Sequence, residues 1–316
     1  MIEARGLART FSTRNGAVEA VRGVDLAVAP GEIVGFLGPN GAGKSTTLRM
    51  LTTLLAPTAG TATVAGHDLR ADAAGVRRRI GYVGQAGGTD PGVPVGEELA
   101  LQAALYGVGD PGARIAGLCA RLDLEGLRER PAGSLSGGQR RRLDIALGLV
   151  HGPPLVFLDE PTTGLDPQSR GNLWEHIRRM RGEDGTTVFL TTHYLDEADA
   201  LCDRILIIDH GRIVAEGTPE ELKRRVSGDV VTLELADAAQ GAARARDALA
   251  ANPAVREAAV TGAQLRLTVQ DGDQALMGLV RDLDAAGVEL TALRMARPTL
   301  DDVFLTVTGR SLRDAA

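Results

Sequence analysis

The chain has 316 residues, 44% apolar and 24% charged, with a formal net charge of −6, enough for one large domain and a small one. The acidic balance gives no electrostatic footprint for nucleic acid, and none is expected as a partner. No apolar run approaches the roughly 20 residues that a membrane-spanning helix needs, and Met1 to Arg5 do not lead into a signal-peptide core, so a cytosolic protein that reaches a membrane only through a partner is expected.

Residues 2–28 hold two apolar stretches divided by Asn15 and Gly16, a turn signal that predicts an antiparallel β region. A strand is predicted over 31–37, a loop over 38–43 and a helix over 45–55, where Leu48, Leu51 and Leu55 fall near the helical period. Strands follow at 61–64 and 80–83, then a mostly helical stretch at 91–132 with a break at 107–111. Helices predicted at 140–150, 168–181 and 195–201 alternate with strands at 155–158, 186–191 and 204–209. The alternation predicts an α/β fold with a mainly parallel sheet, preceded by the antiparallel β subdomain and interrupted by a helical one. Cys119 and Cys202 fall in segments predicted helical and show no metal-ligand spacing, as expected of thiols in a reducing compartment.

The character changes near Ser227 and Gly228, dividing the chain into domains 1–226 and 227–316. Strands at 230–235, 255–261, 264–270 and 289–296 and helices at 242–251 and 274–286 give the order βαββαβ, a ferredoxin-like arrangement. The turn at 261–263 and Gly287 as a helix stop support it. A short helix is expected over 299–306, with Thr299 as N-cap and Asp302 completing a capping-box-like pair.

Gly38, Pro39, Asn40, Gly41, Ala42, Gly43, Lys44 and Ser45 spell GxxxxGK[ST] between a predicted strand and a predicted helix, the context this phosphate-binding loop requires. The glycines let backbone amides wrap phosphates at a helix N-terminus. Lys44 should neutralise the β and γ oxygens of ATP and Ser45 should ligate Mg²⁺, with Thr46 continuing the loop into the helix. Lys44 and Lys223 are the only lysines among 35 basic residues. In a chain that otherwise writes cations as Arg, a lysine here suits a compact charge among phosphate oxygens.

Residues 155–158 form an apolar run that ends in Asp159 and Glu160. At the carboxyl end of a strand in an open α/β sheet, Asp159 is placed to hold Mg²⁺ and Glu160 to act as the base on the attacking water. Leu135, Ser136, Gly137, Gly138 and Gln139 precede a predicted helix. They read as a glycine-rich N-cap or as a second anion site; two phosphate sites in one subunit suggest a symmetric dimer in which each copy serves the other's nucleotide.

These motifs resemble, in order, those of the ATP-binding subunit of an ATP-binding cassette (ABC) transporter over roughly residues 2–225. The loop 38–45 is similar to Walker A, 135–139 to the LSGGQ signature and 155–160 to Walker B. The resemblance implies further roles. Phe11 would stack on adenine, Gln85 would contact Mg²⁺ or water and sense the membrane partner, Asp166 in Gly164-Leu165-Asp166 would tie the dimer together, and His193 would hold the γ-phosphate. His67, His151, His176 and His210 have no such context and are expected to be surface or structural. The stretch 93–99 departs from the Leu-Thr-Val-x-Glu-Asn-Leu pattern of many relatives, and Arg140, Arg141 and Arg142 are expected to form a solvated helix face.

The C-terminal run Pro298, Thr299, Leu300, Asp301, Asp302, Val303, Phe304, Leu305, followed by Thr308, Gly309 and Arg310, resembles the daunorubicin-resistance type of ATPase subunit. The implied function is the ATPase subunit of an exporter: two copies close on MgATP at the cytoplasmic face of the membrane and drive a separate permease. Another cargo or direction, or a soluble non-transport ABC ATPase, are the alternatives. One cassette without heptads stands against the soluble forms, which join two cassettes or carry a long coiled coil.

Overall fold

Strand β1 (Ile2–Thr13) runs antiparallel to β2 (Gly16–Val28), as the two apolar stretches predict. In this computed structural model residues 1–14, 16–225, 228–236, 241–249, 252–269, 272–296 and 298–309 are described; Asn15 of the expected turn, Ser227 of the domain boundary and Arg310 of the tail lie outside them.

Strand β3 (Ile33–Leu37) leads to helix α1 (Lys44–Leu51). The helix stops four residues short of Leu55, because the Thr52 hydroxyl bonds back to the Leu48 carbonyl and Thr53 takes a left-handed φ of 64°. Next come β4 (Ala59–Val64), β5 (His67–Asp68), α2 (Ala73–Arg79), capped by Asp72, and β6 (Ile80–Val83). The stretch 91–132 is mostly helical, with its break between α3 (Val95–Leu105) and α4 (Pro111–Arg121); a 3₁₀ turn follows at Glu125–Leu127 and another begins at Ala132. Asp110 caps α4 with Pro111 in its first turn, the arrangement that suits a helix start.

Helix α5 (Gly137–Leu149) is followed by β7 (Leu155–Asp159), α6 (Pro167–Asp184), β8 (Thr187–Thr192), α7 (Leu195–Leu201) and β9 (Arg204–Asp209). Strand β10 (Arg212–Gly217), which the sequence reading did not place, completes this part, and helix α8 (Pro219–Arg225), likewise unplaced, follows it. Cys119 lies in α4, but Cys202 sits just past α7 rather than within a helix; both are buried and unbridged.

Strands β2-β1-β4-β5 make an antiparallel sheet. Strands β10-β9-β3-β8-β7-β6 make a six-stranded sheet, parallel throughout except for edge strand β10. Every residue of β3, β7 and β8 is buried, as expected of parallel strands covered on both faces. Phe189 on β8 packs between Phe36 and Phe157 at ring separations of 5.6 and 5.7 Å, locking the three central strands together. The carboxyl ends of those strands are thereby held side by side.

A first compact unit spans Met1–Pro219 and a second Glu220–Ser311. In the second, β11 (Asp229–Leu235), α9 (Gly241–Leu249), β12 (Val255–Thr261), β13 (Gln264–Val269), α10 (Gly272–Ala285) and β14 (Leu290–Ala296) follow the expected βαββαβ order, with sheet order β12-β13-β11-β14. Alternate residues Val231, Leu233, Leu265 and Leu267 face Leu279 and Leu283 in a core of its own. Helix α11 (Leu300–Thr308) carries the expected capping box between Thr299 and Asp302.

Candidate nucleotide-binding and hydrolysis site

The loop 38–43 leaves the carboxyl end of β3 and enters α1. A Cβ on Gly38 would lie 2.3 Å from the Ile208 carbonyl oxygen, so the loop's first position has room only for glycine. Gly43 caps α1 at φ 109°, a left-handed conformation that glycine adopts without strain. Pro39 and Ala42 are buried and joined by a 3.2 Å turn hydrogen bond, Asn40 and Gly41 are exposed, and Ser45 and Thr46 are half-buried. Lys44 folds over this loop, donating to the Gly38 carbonyl at 2.7 Å and the Pro39 carbonyl at 3.1 Å. Burial holds the Lys44 pKa below its usual value, with the neighbouring Glu160 carboxylate opposing.

Asp159 ends β7 and Glu160 follows it. The Ser45 hydroxyl donates to Asp159 Oδ1 at 3.0 Å, joining the two strand ends across the site. The Thr191 hydroxyl donates to the same oxygen at 2.6 Å and accepts the Glu160 amide at 3.0 Å. Glu160 has φ 45°, a strained backbone for a residue other than glycine. Thr191 supplies what holds it there, because its carbonyl also accepts the Glu160 amide at 3.2 Å.

Four side chains surround the Glu160 carboxylate. Lys44 Nζ stands 3.3 Å and His193 Nδ1 3.2 Å from Oε1. Gln85 Nε2 and the Thr163 hydroxyl each donate to Oε2 at 3.2 Å. His193, then Lys44, hold the Glu160 pKa down to about 2 against the opposing effect of burial. The arrangement can cradle a polyphosphate, offer hard oxygens to a divalent cation, and present a carboxylate to water.

The structure thus gathers Lys44, Ser45, Gln85, Asp159, Glu160 and His193 into one network. Ser136 to Gln139 stand apart from it as the start of α5, with the reciprocal Ser136–Gln139 bonds of a capping box. Gly138 has a packing reason too: a Cβ there would lie 2.9 Å from the Ser169 hydroxyl, which in turn donates to Asp166. Asp166 caps α6, so the start of α5 and the start of α6 abut within one copy. Phe11 on β1 is partly exposed, with the Arg9 guanidinium 4.7 Å over its ring.

Thr163 was not singled out in the sequence, and Thr191 entered only as context for His193. The reading of Arg140, Arg141 and Arg142 as a solvated face is corrected for Arg141. It is 7% exposed and donates to the carbonyls of Gly84, Asp159 and Pro161. The signal was present in helical phase: positions 141, 145, 148 and 149 share the buried stripe of α5. In the stretch 93–99, which departs from the common pattern, Glu98 accepts the Asp90 amide at 2.7 Å and so braces the preceding loop.

Comparison with known proteins decides the family. A profile described as ABC transporter matches residues 21–163, and one for the C-terminal domain of DrrA1-3-like ATP-binding proteins matches 217–308. The daunorubicin resistance ATP-binding protein DrrA3 of Streptomyces coeruleorubidus is 44% identical over 96% of both chains. The chain belongs to the ABC transporter family. The daunorubicin/doxorubicin resistance ATP-binding protein DrrA of Streptomyces peucetius is 45% identical over 99% of this chain and 94% of its own. Nod factor export ATP-binding protein I of Burkholderia orbicola is 37% identical over 97% of each. Among solved structures, the dimeric post-hydrolysis state of the ATP-binding cassette MJ0796 bound to ADP and Pi superposes with a TM-score of 0.64 at 27% identity, covering 69% of this chain and 98% of its own. As an ABC ATPase subunit the protein binds and hydrolyses ATP. Among the described residues no helix is long and apolar enough to cross a membrane.

Proposed function

We propose that this ATPase, at the cytoplasmic face of the membrane, powers efflux of a drug or secondary metabolite through a separate permease. The similarity of nearly the whole chain to resistance ATP-binding proteins carries this reading. The likeness to a Nod factor export protein fits the same direction with a different cargo. Two copies would pair around two ATP molecules, as the dimeric relative suggests. Residues 1–226 would form the ATPase domain and 227–316 an accessory one.

In this reading residues 38–46 bind the triphosphate, Phe11 stacks on adenine, Ser136 to Gln139 reach the nucleotide of the second copy, and Asp166 ties the two copies together. Ser45, Asp159 and Gln85 would hold Mg²⁺; the Ser45 hydroxyl and Asp159 carboxylate, already 3.0 Å apart, are hard oxygen donors of the kind it prefers. When bound, the ion would neutralise charge on the phosphate oxygens. Glu160 takes the proton of the attacking water, and His193 orients that water and the γ-phosphate. An incoming triphosphate draws Lys44 off Glu160, so the carboxylate loses a cation that depresses its basicity.

Co-expression with a candidate membrane subunit, in a drug-sensitive host, tests the reading. Cells should lose accumulated doxorubicin in a manner that depends on Glu160. Unchanged accumulation with both subunits present and ATPase activity intact would count against drug export.

A further inference from the structure

Arg141 sits in the first turns of α5, two residues beyond Gln139, and its guanidinium is almost wholly buried. Each of its three nitrogens donates to a different backbone carbonyl: Nε to Pro161 at 2.8 Å, NH1 to Gly84 at 2.6 Å and NH2 to Asp159 at 3.0 Å. Asp159 and Pro161 flank Glu160, and Gly84 immediately precedes Gln85. One rigid fork therefore ties the backbone on both sides of the base, and the residue before its amide neighbour, to the helix that begins with Ser136 to Gln139. One turn further along α5, Asp144 stands 3.9 Å from the same guanidinium and packs against Gly87 on the far side of Gln85. Burying a cation on three carbonyls is costly unless every donor is satisfied. Its geometry is also one that a lysine cannot reproduce, since three fixed, coplanar donors differ from a rotating point charge.

We propose that Arg141 is a positioning residue for hydrolysis. It fixes the strained Glu160 backbone and the Gln85 loop to α5, so that a shift of the Ser136–Gln139 end on nucleotide closure is transmitted to the base. The inference rests on Glu160 acting as the base. Arg141 itself touches neither nucleotide nor water; its effect is on the placement of groups that do. ATP binding, which uses the loop of β3 and α1, is left to other residues.

The test compares Arg141→Met, Arg141→Lys and Glu160→Gln in the full-length protein. Turnover is normalised to the ATP bound per folded chain, and KM and kcat are measured separately. Arg141→Met should bind ATP within about threefold of the parent while kcat falls at least tenfold. Arg141→Lys should recover part of kcat at unchanged affinity. If Arg141→Met fails to fold, Arg141→Lys decides: a kcat within twofold of the parent overturns the proposal, and a larger loss at unchanged ATP affinity supports it. Loss of affinity and turnover in equal measure marks a general folding role and also overturns it. Full turnover by Glu160→Gln would sink the reading of the base. A dead Glu160→Gln beside a normal Arg141→Met would sink only the positioning role.

Discussion

Lys44 Nζ and Glu160 Oε1 face each other at 3.3 Å, with only 4% and 8% of their side chains exposed. The contact joins the phosphate loop to the acidic end of β7 and keeps the carboxylate a weak base. Glu160→Gln keeps the shape and one accepting oxygen but cannot accept a proton. Its ATP affinity should stay within about threefold, and turnover should fall by about 10²–10⁴, the range of general-base catalysis. Steady-state ATPase assays and equilibrium nucleotide binding check both halves; near-normal hydrolysis would remove Glu160 from the role of base.

The same clamp predicts a pH dependence. The Glu160 pKa lies at about 2 in the folded chain, below its ordinary value of 4.5. Between these values the unfolded chain binds more protons at this site than the folded one. Its contribution to stability is therefore present above pH 4.5 and is lost as the pH falls through 2. In Glu160→Gln the slope of unfolding free energy against pH should be shallower in that window, by up to about 1.4 kcal/mol per pH unit. Trp174, the single tryptophan, reports unfolding by fluorescence in urea at pH 3, 4 and 5. Equal slopes in parent and variant would show that Glu160 is not clamped.

Much of this site could be read from sequence because the relevant signals are local. A glycine loop between strand and helix and an apolar strand ending in two acids each announce themselves within about eight residues. Arg141 and Thr191 were less legible because their work is done on backbone groups distant in sequence. Arg141 reaches Gly84, 57 residues away, and Thr191 reaches Asp159, 32 residues away. The fold shows the same divide. The βαββαβ order followed from period and turn residues, whereas β10, whose residues alternate between exposed and half-buried up to the buried Gly217, carries no strong apolar run. Helix α1 was overextended because Leu55 keeps the helical period after Thr53 has already left it.

Lys44→Arg should be nearly as damaging as Lys44→Ala. The ammonium meets two loop carbonyls and a carboxylate in a space only 4% open. A planar guanidinium is larger and needs its donors in one plane. Both variants should lose at least tenfold in ATP affinity, read by titration with a fluorescent ATP analogue. Near-normal binding by Lys44→Arg would refute the steric argument.

A chain ending at Arg225 should still bind ATP. The phosphate-loop, acidic-strand and His193 network lies within Met1–Pro219, and the second unit buries its own core around Leu233, Leu267 and Leu279. Affinity should remain within about threefold, while dimerisation or pairing with the permease weakens. A truncated protein that is folded by circular dichroism yet binds no ATP would overturn this division of labour.

The last prediction concerns Ser136 to Gln139. This segment abuts Asp166 and Ser169 within its own copy, and the nucleotide it would serve belongs to the second. Lys44→Ala damages the phosphate loop, and Ser136→Arg fills the start of α5 with a side chain that blocks closure on a γ-phosphate. Either variant alone makes a homodimer with two damaged sites. In a mixed dimer, one composite site would carry both lesions and the other neither, if each site takes its phosphate loop from one copy and its α5 start from the other. The intact site should bind ATP and close. ATP-dependent dimerisation, followed by size-exclusion chromatography with differently tagged copies, is the readout, since turnover from one site depends on coupling between the two. Heterodimers should form with ATP where neither variant forms homodimers. If the α5 start instead served its own copy's nucleotide, each chain would stay defective and mixing would restore nothing. With both variants shown to be folded, the absence of heterodimer would therefore count against a site shared between copies.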